Sequence, residues 1–555
     1  MNTDLLLQNP ILRRELLERL RSSKTMFAII ALAVLSSILV LMRWPTDASI
    51  DLVSQGSLQV FRPVAFSIAI AIMMLIPAFP ATAFVSERRK GTLTLLLNSP
   101  TSPGRIYLGK LCANVLLAMI IFSVSIPALM ACYAMGGISL MGHIGPLLLV
   151  FIGMAIQYSA LGLWVSIRSQ SADASLRVTY AAVLVLAVLS TGPTVLVGKL
   201  SGSMSLVAHW MTALSPLPAL QQITGLQAQA SEIGIATGWR EFLMVSCIVS
   251  VVLALATLMK LDPILLDRAR PTGRVRDRSS AGGWTRRFAY LVDPQRRKAG
   301  IPWWLNPVMV KEFRTRKFGR LHWLLRLVAA GAIVSLLLTV VAATGTVNWG
   351  VDRIASSMVL MQVALLLLLG PSLGANLIAA EIESGGWQLL RVSPFSPIRI
   401  VLGKLLSTVW TLLLLLLATL PGYVVMSYIQ PAIGGQVGNV VISLLIAIAL
   451  VTSISACVSS FCRTTAVATA TSYAILLTMF AGTLLIWLSR GQPFGPLLVE
   501  RALLLNPAAI ALAEMKTPGF ELYRLTPMGW YVGIGLSLLC IVILSLRTFR
   551  LTRPD

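Results

Sequence analysis

The stretch ERRKGTLTLLLNSPTSPGRIYLGK, Glu87 to Lys110, returns as EIESGGWQLLRVSPFSPIRIVLGK, Glu381 to Lys404, without a gap at an offset of 294. Thirteen of the 24 positions are identical, and nine of those identities are Glu, Gly, Ser, Pro, Arg or Lys, which a leucine-rich composition does not produce by itself. Self-similarity of this kind says that the chain is two copies of one unit. Each copy lies between two long apolar runs, so each is a short polar excursion between membrane helices. Gly91 and Gly385 punctuate the end of the incoming helix. SPTSP and SPFSP turn the chain, and Lys110 and Lys404 stand as anchors where the next helix enters lipid. Between these marks, TLTLLLNS and GWQLLRVS are each expected to form about two turns of helix lying flat. Their apolar ridges, Leu93, Leu96 and Leu97 in one copy and Trp387 and Leu390 in the other, are offered to something outside the membrane.

Composition agrees with that reading. The chain has 555 residues, 56% hydrophobic and only 12% charged, with mean hydropathy +0.82. Soluble domains carry about twice that charge, so this is a polytopic membrane protein of the all-α class. The net charge of +24 would point to nucleic acid in a soluble chain; in a membrane protein it reads as topology, and no nucleic-acid partner is expected. The six cysteines fall in apolar runs with no CxxC spacing and read as small buried hydrophobes. A long charged segment precedes the first apolar run and no A-x-A site follows it, so that run is expected to be an uncleaved anchor.

Outward from the repeated loops, NPILRREL (Asn9–Leu16) and NPVMVKEF (Asn306–Phe313) share an Asn-Pro and a Glu, Glu15 in one and Glu312 in the other. In the first, Leu12, Leu16 and Leu20 recur every four residues, with Arg13, Arg14, Arg19 and Arg21 around the other face. A basic amphipathic helix before a span lies in the interface plane, and Pro10 and Pro307 suit its first turn. Runs of spanning length fall near 26–42, 64–85, 111–135, 144–167, 178–198 and 241–259, then near 322–343, 354–380, 405–429, 438–461, 466–488 and 528–546. Six plus six puts both termini on one side. Of the 45 Lys and Arg, 35 fall in loops on that side, 9 on the other, and Arg326 inside a span, so both termini are expected to be cytoplasmic. Six being even, the halves insert alike, as a parallel repeat about an axis along the membrane normal. The domains are then 1–260, a basic cytoplasmic linker at 261–305 suited to anionic lipid, and 306–555. Two longer outer loops hold Pro-bearing apolar pieces, from Leu214 and from Leu504, too short to span and expected as short helices at the outer leaflet.

Chemistry of other kinds is missing from the pattern. GRIYLGK (Gly104–Lys110) matches the start of a P-loop, but Leu111 follows where a Ser or Thr must hold magnesium, and the second copy has Ile398 in place of the first glycine. There is no HExxH or GxSxG. No carboxylate lies deep in a span, where a proton- or sodium-coupled carrier commonly keeps one. Two roles stay open for Glu87 and Glu381: pairing with a nearby arginine, or fixing the flat helix for an incoming partner.

The Asn-Pro-x-x-x-Lys/Arg-Glu helix opening each half, and the Glu-x-x-x-Gly-x-x-x-Leu-Leu…Ser-Pro…Gly-Lys loop after its second helix, together resemble the permease subunits of ABC-2 type ABC transporters. The resemblance covers nearly the whole chain, twice. It implies an elbow helix at Asn9, Pro10 and Glu15, and again at Asn306, Pro307 and Glu312. It also implies coupling helices docking on an ATPase through Glu87, Gly91, Leu93, Leu96 and Leu97, and through Glu381, Gly385, Trp387 and Leu390. Most such permeases are six-span subunits that dimerise; this chain reads as both halves fused. With no ATP-binding domain in it, the resemblance implies a non-catalytic subunit without cofactors of its own. ATP and Mg would then sit on separate ATP-binding subunits, two copies of them, and the chain would form the path for an exported substrate across the cell membrane. The competing readings are an ion-driven secondary carrier and a mechanotransmitting scaffold through which no cargo crosses.

Overall fold

Among the described residues of the structure, a computed structural model, nine stretches are helices long and apolar enough to cross a membrane. The described residues are 10–42, 56–187, 203–225, 238–261, 306–315, 329, 332, 351–393, 395–431, 434–488, 495–517 and 519–552, and among them there is no strand. The nine coincide with nine of the twelve runs expected above. Counting two sharply bent helix pairs as spans raises the number to eleven. Of the other three expected runs, 322–343 lies outside the described residues apart from two alanines. The run at 178–198 is described only as far as Ala187. The first, Ser23–Met42, follows Pro10–Leu20 at a bend of 70°. Of the linker expected at 261–305, only Leu261 is described.

The chain divides into two compact units, Met1–Arg268 with Ala481–Val499, and Ala269–Phe480 with Glu500–Asp555. In the first, α1 (Pro10–Leu20) and α2 (Ser23–Met42) precede a broken second span, α3 (Gly56–Leu75) and α4 (Ala78–Arg89). Then come the six-residue α5 (Thr92–Leu97), α6 (Pro103–Val124), α7 (Ile126–Ala134), the fourth span α8 (Gly145–Arg168) and α9 (Ala172–Ala187). The short helices α10 (Ser203–Thr212) and α11 (Pro216–Ile223) lead to the sixth span, α12 (Trp239–Leu258). The second half of the chain repeats the order: α13 (Pro307–Thr315), α14 (Val351–Gly374), α15 (Asn376–Ser384), α16 (Gly386–Val392), α17 (Pro397–Ile429), α18 (Gly434–Phe461) and α19 (Thr465–Leu488). It closes with α20 (Pro496–Leu503), α21 (Pro507–Glu514) and α22 (Met528–Thr552). The Pro-bearing outer pieces are thus helical, in α11 and α21, each eight residues long.

The fourth span is the axis of each unit. Its most apolar stretch is 72% buried in both, against 22% for the sixth span in both. Second and fourth spans are stitched at the same point in each copy. Ser166 Oγ accepts from the backbone N–H of Phe84 at 3.0 Å and Val85 at 3.2 Å. Ser459 Oγ accepts from Ile378 at 3.0 Å and Ala379 at 2.9 Å, and donates to the Ala375 carbonyl at 2.6 Å. In lipid no water competes for these groups, so hydroxyl and backbone bind one another across the seam.

Close approach along these seams rests on small residues, placed differently in the two copies. Between second and fourth spans, a methyl on Gly162 would stand 2.8 Å from Pro80 Cγ. At the equivalent position of the other unit the glycine is on the opposite helix: a methyl on Gly374 would stand 2.5 Å from Ser455 Cβ. Between fourth and sixth spans, Gly153 faces Leu243 and Phe242 in the first unit, whereas Gly533 faces Ile446 in the second.

Candidate functional site

The loop after each second span opens on a glycine that only a residue without Cβ adopts cheaply: Gly91 has φ +72° and Gly385 φ +75°. This left-handed residue ends α4 and α15 and turns the chain straight into α5 and α16. Pro103 and Pro397 then start the third span at its first turn, each after a serine in extended backbone.

Behind the short helix lies a quartet of charges drawn from three places in the chain, and it is built twice. In the first unit Lys110 Nζ, 1% exposed, lies 2.5 Å from Glu15 Oε1 and 3.9 Å from Glu87 Oε1. Glu87 is also bound by Arg14 and by the Thr92 hydroxyl. In the second, Lys404 Nζ lies 2.5 Å from Glu312 Oε1 and 3.1 Å from Glu381 Oε1, and Lys311 reaches Glu381 at 2.6 Å. The lysines expected at the membrane edge are therefore inside the protein. A buried ammonium is tolerable only with carboxylates around it, and each lysine has two. The elbow helix, the end of the second span and the start of the third are tied into one block. Of the two roles left open for Glu87 and Glu381, pairing is seen in both copies, for Glu87 with Arg14 and at longer range Lys110, for Glu381 with Lys311 and Lys404.

The block extends beyond the charges. The side chain of Asn306 caps α13 by accepting from Val308 N at 3.0 Å and donates to the Arg399 carbonyl at 2.8 Å. It lies so near Gly403 that a methyl there would be 2.7 Å from Asn306 Oδ1. The Gly-Lys of the second copy thus has a structural origin, Gly403 admitting the elbow and Lys404 binding its carboxylate, and in the first copy Lys110 binds the elbow's carboxylate in the same way. Pro10 and Pro307 are the first residues of their helices; Asn9 lies outside the described residues. Arg19, expected on the wet face of the elbow, is 5% exposed, bound to Glu15 at 3.2 Å and stacked over the Phe79 ring.

The short helices turn their expected ridges inward. Leu93 and Leu97 are buried among Ile11, Phe84, Ile106, Tyr107 and Ile167, with Leu96 against the same cluster. Trp387 is buried among Leu377, Ile378, Val401, Leu405 and Leu544, with Leu390 beside them, and its Nε1 donates to the Leu551 carbonyl at 3.2 Å. The exposed large apolar side chains on these helices are Leu95, 70% exposed, its counterpart Leu389, 79%, and Val392, 86%.

Two charges next to the short helices are committed within the chain. Arg88 donates to the carbonyls of Ile167 at 2.7 Å and Ser169 at 3.1 Å, closing the end of the fourth span. Glu383 accepts from the backbone N–H and hydroxyl of Thr465 at 2.8 and 2.7 Å, capping the start of the fifth. Loops this short mask such roles, because the partner is about 80 residues away in sequence.

An all-helical, multi-pass membrane protein with one helical unit occurring twice is the class these features define. The family described as ABC-2 family transporter protein matches residues 9–263 and 340–491, one stretch in each half. The chain belongs to that family. No curated protein matches it.

Proposed function

We propose that the chain is the complete membrane permease of an ATP-driven exporter, working with two ATP-binding subunits on separate chains. Membership of the ABC-2 transporter family supports the class. The observation that carries the coupling is the pair of short helices, each beside a lysine buried between two carboxylates and each presenting exposed apolar side chains, Leu95 in one and Leu389 and Val392 in the other. An exposed leucine flanked by turns is an anchor for a groove on another protein, and a rigid block behind it passes displacement to the spans. Hydrolysis, with ATP and Mg, belongs to the partners in this reading. The chain supplies the path for an exported substrate, with both termini on the ATPase side.

The docking anchors are then Leu95 in the first copy and Leu389 and Val392 in the second, with Leu93, Leu96, Leu97, Trp387 and Leu390 holding the helices in place. The test is co-expression with candidate ATP-binding-cassette subunits and measurement of the ATPase retained on the purified chain. Leu95→Asp combined with Leu389→Asp should abolish retention and transport-stimulated hydrolysis while insertion and thermal stability stay unchanged. Full retention would remove these loops from the coupling path.

A further inference from the structure

We propose that the two short helices receive different ATP-binding subunits: a groove with an acidic rim takes the helix of the first copy, and an apolar groove takes that of the second. This rests on the coupling role proposed for these helices and adds the kind of partner at each. Leu95 and Leu389 occupy the same place in the repeat and are both exposed, so the difference lies in what surrounds them. Three residues on from Leu95 stands the exposed Asn98; three on from Leu389, on the same face of α16, stands the exposed Val392. Gly104 in the first copy is Ile398 in the second, 63% exposed. The exposed Lys90 has Ser384 for its counterpart. Arg89 is exposed as well, whereas Glu383 in its place is turned to the start of the fifth span. Arg105 and Arg399 match, and the Arg399 guanidinium lies over the Phe395 ring at 5.6 Å.

Every substitution runs the same way. The first surface sets cations and an amide around one leucine; the second sets Leu389, Val392 and Ile398 together. Specificity comes from penalties as much as from attraction. An apolar groove shaped for Val392 would strip water from Asn98 and return no hydrogen bond. An acidic rim that attracts Lys90 gains nothing from Ser384. One groove therefore serves one surface well and the other badly.

The experiment uses the full chain in membranes, co-expressed with the ATP-binding-cassette subunits encoded in the same genome. A photo-crosslinker, p-benzoylphenylalanine, replaces Thr94 in one variant and Gln388 in another, both exposed positions, and the captured polypeptides are sequenced. Position 94 should capture one ATP-binding subunit and position 388 a different one. Raising salt from about 0.1 to about 1 M shortens the screening length from about 10 to about 3 Å. Capture at 94 should then fall several-fold while capture at 388 persists. Lys90→Glu should lower capture at 94 alone, and Val392→Asn capture at 388 alone. The same polypeptide at both positions, or an equal response to salt, would overturn the inference and leave the coupling role standing. Capture of an ATP-binding subunit at neither position would overturn both.

Discussion

Removal of the Lys404 ammonium is the most direct test of how the block behind the short helix is held. Lys404 is 3% exposed at its side chain and stands between Glu312, 6%, and Glu381, 14%. Lys404→Met keeps the length and apolar stem but leaves Glu312 facing Glu381 without the shared cation. Deleting one partner of a buried ion pair costs about 3–5 kcal/mol, chiefly because the other charge is left stranded. Lys311 bears on the same Glu381, yet it is 44% exposed, and exposed pairs contribute about 0–1 kcal/mol. Thermal unfolding of the purified chain in detergent should therefore fall by on the order of 10 °C for Lys404→Met and only by about 1–3 °C for Lys311→Ala. Adding Glu312→Leu to Lys404→Met should recover most of the loss, since a buried pair replaced by apolar side chains is about neutral, and Glu381 keeps Lys311. Equal losses for the two lysines, or a double variant no better than the single, would refute the idea that Lys404, buried between its two carboxylates, ties the block together.

Trp387→Ala should cost about 3–5 kcal/mol in the same assay, as truncation of a buried aromatic does, whereas Leu389→Ala should stay within about 0.5 kcal/mol. Arg88→Ala should lower stability by about 1–2 kcal/mol through the two unpaired carbonyls at the end of α8, and its effect on ATPase retention should follow stability rather than salt concentration. Gly374→Ala should destabilise by about 1–3 kcal/mol through overpacking against Ser455, and Ser455→Gly in the same chain should relieve it. If the second change adds to the first instead, the contact at this seam is not what limits the approach of the helices.

Much of the architecture was legible because lipid imposes it. Nine of the twelve spans are helices where hydropathy placed them, and the turn at Gly91 and Gly385 follows from punctuation that glycine supplies. The face of the short helix was not legible. Four of the six residues of α5 are leucine, so there is no polar side for periodicity to contrast with, and burial was assigned to the wrong surroundings. Lys110 and Lys404 were misread for a different reason. A lysine at a helix start is ordinary at a membrane surface, and only the elbow, about 95 residues earlier in sequence, turns it into a buried cation. The signal was present in the repeat itself: Glu15, Glu87 and Lys110 recur as Glu312, Glu381 and Lys404, and Arg14 recurs as a second base, Lys311. Charges duplicated together in two separate stretches report on one another. Arg88 and Glu383 lack that duplication, and nothing in the sequence marks them as caps.

The placement of small residues along the fourth span bears on the history of the chain. Glycine sits on the fourth span in the first copy, as Gly162 and Gly153, and on its neighbours in the second, as Gly374 and Gly533. A recombinant uniting the second span of the first copy with the fourth span of the second would set Pro80 against Ser455 and leave no room. The reciprocal recombinant would set Gly374 against Gly162 and leave a void. The seam to the sixth span behaves the same way, with Ile446 meeting Leu243 in one cross and Gly153 meeting Gly533 in the other. Genetic exchange between the duplicated segments is thus penalised in both directions, and each half of the gene is held to its own lineage although both still encode the same loop.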